Sequence, residues 1–240
     1  MKLNLLARRL RLRAELFYFR LTKKPIVHFI HIGKTGGSAI KAALRNQRIT
    51  PQCAIILHRH RTRLKHIPPG EKFFFFLRDP VAKFVSAFYS RKRQGMPKYR
   101  QPWSPEETRA FARFETPNAL ALALDSPDAE TRQAAQDAMK SIHHINKSYW
   151  FWFKDEATLR SRRDDILLIG FQETLDQDFA ALKRMLDLPD TILLPHDDVS
   201  AHRNKADVDK RLDEEAIRNL KTWYQKDYEF IELCKSLKAG

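Results

Sequence analysis

Four short apolar runs alternating with helical patterns predict an α/β fold: a three-layer domain with a central parallel sheet. Three observations carry this expectation. The runs Ile26–Ile32, Cys53–Leu57, Phe73–Leu77 and Asp165–Gly170 are rich in β-branched and aromatic residues, and short enough for strands buried on both faces. Between and after them, apolar residues recur at helical spacing. No internal repeat or low-complexity linker divides the 240 residues, a length suited to one domain with a full-sized core.

Residues 1–24 read as a basic helical extension ahead of a single domain over 25–240. Leucines alternate there with Arg8, Arg9, Arg11, Arg13 and Arg20, without the continuous apolar core of a signal peptide. Such a helix either packs on the domain, the favoured reading, or rests on an anionic membrane surface. The first strand then runs into Gly33-Lys34-Thr35-Gly36-Gly37-Ser38, followed by a helix with Ile40, Ala43 and Leu44 on one face. After the second strand comes a basic segment, His58 to His66, and a turn at Ile67-Pro68-Pro69-Gly70. The third strand ends at Arg78. Asp79 and Pro80 then supply an N-cap and a first helical residue, ahead of a stripe of Val81, Phe84, Val85, Phe88 and Tyr89.

The middle, Glu106 to Arg163, is predicted mostly helical with breaks at Pro117 and Pro127, and carries an aromatic patch from Tyr149 to Phe153. Thr174 to Leu186 reads as the helix after the fourth strand. A Pro-bounded loop from Pro189 to Lys205 leads to a last helix over Val208–Leu237. Lysine and arginine (44) outnumber aspartate and glutamate (29), a net charge of +15 that suits polyanionic partners without choosing among them. Cys53 and Cys234 make neither a disulfide framework nor a metal cluster, and reduced thiols point to the cytoplasm, with contact at the inner membrane surface through the basic N-terminus as the alternative setting.

Two stretches carry the chemistry. The glycine-rich turn lets backbone approach a ligand closely, and the helix start behind it offers free N–H groups to an anion, most naturally a phosphate. Its lysine precedes the glycine pair, so it fails the nucleotide-triphosphate signature. At the end of the third strand, Arg78 can grip phosphate with two parallel hydrogen bonds, and Ser86, off the apolar stripe, can complete the clamp. Lys-Thr-Gly-Gly-Ser after a strand resembles the 5′-phosphosulfate loop of sulfotransferases that use 3′-phosphoadenosine 5′-phosphosulfate (PAPS). Arg78-Asp79-Pro80-Val81 with Ser86 resembles their 3′-phosphate motif. The likeness is to the carbohydrate-type family 2 enzymes and their bacterial relatives, and extends more weakly to Ile169–Glu173 and Trp223–Tyr228. Gly33 stands where many relatives have proline, Ser38 where threonine is common, and Lys83 where arginine is usual. No stretch of these residues approaches the apolar length of a Golgi-type membrane anchor, a departure that speaks against a Golgi-resident enzyme.

The resemblance implies a P-loop-NTPase-like sulfotransferase fold and transfer of a sulfuryl group from PAPS to a hydroxyl or amine, leaving 3′-phosphoadenosine 5′-phosphate (PAP), by in-line displacement and without a metal. Lys34 would stabilise the leaving oxygen, with Gly33, Thr35, Gly36, Gly37 and Ser38 around the 5′-phosphate and Arg78 and Ser86 on the 3′-phosphate. Relatives acting on polysaccharides carry a catalytic histidine after the second strand, which makes His60 the expected base and His58 the reserve. Arg59, Arg61 and Arg63 are candidate acceptor contacts. His31, His143 and His144 read as structural, and His202-Arg203-Asn204-Lys205 as a loop able to reach the site. The expected acceptor is a polysaccharide or glycolipid, with no nucleic-acid partner. A nucleotide-dependent kinase lacks a convincing acidic magnesium ligand at a strand end. A polyanion-binding module would explain the charge, but not two anion clamps.

Overall fold

A computed structural model describes residues 14, 17–19, 21, 23–97, 99–195 and 208–239. The basic residues Arg8, Arg9, Arg11, Arg13 and Arg20, and the loop from His202 to Lys205, lie outside the described residues. Within the extension, Phe19 is buried against Ile26, Ala54 and Ile56, with the Arg48 guanidinium over its ring.

The sheet has four parallel strands in the order β2-β1-β3-β4: β1 (Ile26–Ile30), β2 (Ala54–Leu57), β3 (Lys72–Leu77) and β4 (Ile166–Phe171). Strand β1 pairs with β2 on one side and β3 on the other, with Phe29 opposite both Leu57 and Phe74. The order therefore reverses beside β1, which opens a crevice at the C-terminal ends of β1 and β3.

Side chains alternate across the sheet. Phe73, Phe75 and Leu77 face one helical layer, containing Tyr149, Trp152, Phe153 and Phe230. Phe74 and Phe76 face the other, where Ile40 and Leu44 meet Phe179 and Leu182. Helices α6 (Trp150–Phe153), α7 (Glu156–Arg160) and α10 (Gln225–Ala239) belong to the first layer; α1 (Gly37–Ala43) and α8 (Leu175–Met185) form the second. Helices α2 (Pro80–Lys92), α3 (Pro105–Arg113), α4 (Pro117–Leu122), α5 (Ala129–Ser141) and α9 (Glu214–Trp223) build a further core around Phe84, Phe88, Phe111 and Met139. The prolines act as helix starters: Ser104 caps α3 ahead of Pro105, and Thr116 caps α4 ahead of Pro117.

Two expectations need correction. The first strand ends at Ile30, because the Ile32 N–H turns back to the Ile30 carbonyl (3.2 Å) and releases His31 and Ile32 from the sheet. The last helix begins at Glu214 instead of Val208 and is broken at Tyr224. That break has a cause in packing. It carries Asp227 to the buried Lys83 ammonium (3.8 Å) and Tyr228 to Asp79, whose carboxylate accepts its hydroxyl at 2.8 Å. The late segment thereby braces the start of α2.

Candidate active site

Between β1 and α1 the chain makes the tight turn expected from its glycines. Gly36 has φ +83°, a left-handed conformation that costs glycine nothing. Space matters as much: a Cβ at Gly37 would lie 2.2 Å from the His31 ring, and one at Gly33 would lie 2.5 Å from Nδ1 of His144. A proline at position 33 would meet the same ring, which accounts for glycine in this chain. No side chain caps the start of α1. The N–H groups of Gly37 and Ser38 precede the first intrahelical bond, which Ala39 donates to Gly36.

The turn opens into a cavity of about 730 Å³ at the crevice beside β1. Lys34, Gly36, Gly37, Ser38, His60, Arg78 and Ser86 all line it. Gly33 does not, serving instead as the floor against His144. Thr35 is also withdrawn: its hydroxyl is buried and donates to the Ile32 carbonyl at 3.2 Å.

Lys34 itself has φ +70°. Burial, then the guanidiniums of Arg93 and Arg78, pull its ammonium down to about 7. Arg78 is anchored through its backbone, whose N–H donates to the Tyr149 hydroxyl at 3.2 Å while its carbonyl accepts that hydroxyl's proton. One guanidinium nitrogen reaches the Lys34 carbonyl at 3.5 Å; its Nε is buried with no hydrogen-bond partner. The carboxylates nearby are already engaged. Asp79 accepts from the Ala82 N–H (2.8 Å) and Tyr228, and Glu173 accepts from the Asp79 N–H (2.9 Å).

The two candidate bases part company. His60 lies after the chain has left β2, with Nδ1 at 3.1 Å from the His31 carbonyl. A carbonyl can only accept, so Nδ1 carries the proton and Nε2 keeps a lone pair. Burial chiefly, then nearby cations, lower this imidazole to about 4, so it is neutral at pH 7. His58 points elsewhere. Its N–H still makes a sheet bond to Phe29 (3.2 Å), which holds the residue on the face of the sheet beside His28. His28 Nε2 lies 2.5 Å from Glu71 and its Nδ1 2.8 Å from His58 Nε2. The carboxylate accepts the His28 Nε2–H, which leaves Nδ1 to accept from the His58 Nε2–H. His58 is buried outside the cavity and lowered to about 3, by burial first.

His31 and His144, read as structural from sequence, are both cavity walls. The His31 ring packs tilted against His60 at 3.9 Å between centroids, and His144 meets His60 edge-on at 5.3 Å. His144 adopts φ +74°, and the loop carrying it is fixed by Glu107, which accepts the His143 N–H (3.0 Å) while paired with buried Arg91. Neither histidine had a sequence signal beyond its type, since the neighbours that define them are distant along the chain.

The chain is an α/β protein with a central parallel sheet and basic side chains gathered at its switch point, the place where open sheets of this kind put their ligand sites. A family model described as sulfotransferase family matches residues 18–232, and the chain belongs to that family. It is accordingly a transferase, with sulfuryl transfer as its general activity. No curated protein and no solved structure matches the chain. Among the described residues, no helix is long and apolar enough to cross a membrane, and no three His, Cys, Asp or Glu side chains are grouped to hold a metal ion.

Proposed function

We propose that this sulfotransferase takes its sulfuryl group from PAPS and delivers it to a hydroxyl or amine of a saccharide acceptor. The observation that carries the reading is the convergence of two cationic stations on one cavity: Lys34 with the Gly36–Ser38 backbone, and Arg78 with Ser86. A ligand with anionic groups at both ends suits that spacing of motifs better than a singly charged one. The side chains fit such a donor, because the buried Arg78 Nε lacks a partner and the Lys34 ammonium is depressed by burial and then by the like charges of Arg93 and Arg78. Both conditions are relieved by an anion.

When bound, PAPS supplies an activated sulfuryl group and a 3′-phosphate by which it is held. Lys34 and the first N–H groups of α1 offset charge developing on the oxygen that leaves sulfur. Arg78 and Ser86 fix the far end, and so the direction of approach. His60 Nε2 is free to take the acceptor's proton, held in that tautomer by the His31 carbonyl. Its low basicity in the free protein reflects burial first and then nearby cations, Lys34 among them, and an anion placed on Lys34 raises it.

The test is calorimetric binding of PAP against ATP with magnesium, for the wild type and Arg78→Ala. Metal-independent binding that favours PAP and is largely lost in the variant supports the reading. Equal or tighter binding of ATP, or no nucleotide binding, overturns it.

A further inference from the structure

Arg78 occupies the step between β3 and α2, where the sheet has ended and the helix has not begun. Its neighbours keep regular partners: the Leu77 carbonyl accepts from the Gln172 N–H (2.8 Å), and the Asp79 carbonyl accepts from the Lys83 N–H at the start of α2 (2.8 Å). The N–H and carbonyl of Arg78 are met instead by one side chain 71 residues away, the Tyr149 hydroxyl, which accepts from the first at 3.2 Å and donates to the second. Those two bonds occupy the single proton of the phenol and an acceptor site on its oxygen. Tyr149 is wholly buried and lies outside the cavity. Burial pushes its phenol well above the ordinary value, so the hydroxyl keeps its proton and holds backbone in place.

The hydroxyl can do this because the rest of Tyr149 is clamped. Its N–H donates to Asp227 at 2.8 Å, and its ring lies 5.5 Å from that of Phe230, both partners standing on α10. On the α2 side, the buried Lys83 ammonium lies 4.5 Å from the ring centroid, donates to the Lys147 carbonyl at 2.8 Å and faces Asp227 at 3.8 Å. Ring, carbonyl and carboxylate thus tie the segment carrying Tyr149 to the helix that begins just after Arg78. The direction in which the Arg78 side chain leaves the backbone follows from the two peptide planes beside it, each rigid and each held by that hydroxyl. The guanidinium rides at the far end of a long side chain, so a small turn of either plane is magnified at its tip.

We infer that Tyr149 is a positioning residue for the donor's 3′-phosphate: by fixing both backbone groups of Arg78 it aims the guanidinium into the cavity, and so sets how strongly the protein prefers a 3′-phosphorylated nucleotide over one without that group. The inference rests on the donor reading above and assigns this preference to a residue outside the cavity. Removing the hydroxyl leaves a part-buried N–H and carbonyl unpaired. The peptide planes then turn toward other partners, and a paired grip on phosphate loosens, since a misplacement of about 1 Å is enough to spoil such a contact. The turn from Lys34 to Ser38, proposed to hold the 5′ end, does not depend on that hydroxyl.

The test is calorimetric binding of PAP and of adenosine 5′-phosphate to the full chain, for the wild type, Tyr149→Phe, Arg78→Ala and the double variant, each checked for folding by its thermal melt. Tyr149→Phe binds PAP about tenfold more weakly and adenosine 5′-phosphate within about twofold of the wild type. In the Arg78→Ala background the same substitution costs nothing further, because the group it aims is gone. Should Tyr149→Phe fold poorly, Tyr149→p-aminophenylalanine takes its place: an aniline still donates to the Arg78 carbonyl but accepts its N–H poorly, and the preference for PAP falls about threefold. The inference is overturned, with the donor reading intact, if the wild type prefers PAP and either Tyr149 variant keeps that preference in full. It is equally overturned if Tyr149→Phe weakens both nucleotides alike, or adds its whole loss to that of Arg78→Ala. A wild type that binds PAP no more tightly than adenosine 5′-phosphate would instead refute the donor reading, a separate result.

Discussion

Lys34→Arg isolates the electrostatic cost of the turn proposed to hold the donor's phosphate. In the free protein the Lys34 ammonium sits at about 7, because burial and the guanidiniums of Arg93 and Arg78 oppose its charge. A bound phosphate next to it favours the charged form, so complex formation takes up a proton. Affinity for PAP is therefore greatest below pH 7 and is lost as pH rises. With half the lysines protonated near pH 7 and about one in a hundred near pH 9, binding weakens about fiftyfold over that span. Phosphate monoesters ionise near pH 6 and contribute little there. Calorimetry in buffers of different ionisation heat should report close to one proton taken up per PAP by pH 8. A guanidinium keeps its charge throughout, so the curve for Lys34→Arg should be flat, whatever its absolute affinity. A wild-type affinity constant from pH 7 to 9, or binding heats independent of buffer, would refute the reasoning.

Two further outcomes concern stability. Asp227→Asn leaves the Lys83 ammonium buried with the Lys147 carbonyl as its remaining polar partner, and should cost about 3 kcal/mol in urea unfolding. Combining it with Lys83→Met should recover much of that, whereas additive losses would contradict a charge-based cause. His58 is held neutral in the fold down to about 3, against an ordinary value of 6.5 in the unfolded chain. The unfolded state therefore binds more protons below pH 6.5, and stability falls with pH, by on the order of 2 kcal/mol between pH 6.5 and 5. Denaturation midpoints of His58→Leu should show a shallower acid slope; an unchanged slope would place the acid sensitivity elsewhere.

The sequence by itself determined the class of fold and where the two glycine- and arginine-bearing turns proposed to bind anions fall. Those signals are local. Four consecutive phenylalanines, Phe73 to Phe76, fit a strand buried on both faces, and both faces are covered. Asp79-Pro80 starts a helix because the Asp79 carboxylate reaches the Ala82 N–H three residues on, a contact any such spacing permits. The motif around Lys34 and the one around Arg78 could each be read within about a dozen residues.

What only the tertiary structure decided depends on partners far along the chain. His58 and His60 are two residues apart and chemically alike, but one remains on the sheet and bonds His28, while the other escapes to the cavity. His144 and His31 became cavity walls because Gly33 and Gly37 leave room for their rings. The end of the last helix looked continuous in its apolar pattern. It breaks at Tyr224 because Asp227 is drawn to Lys83 and to the Tyr149 N–H at 2.8 Å, contacts spanning more than seventy residues. Periodicity records which face of a segment is apolar. It does not record which distant charge, ring or empty Cβ position that segment will meet, and those meetings decide where each side chain of the site stands.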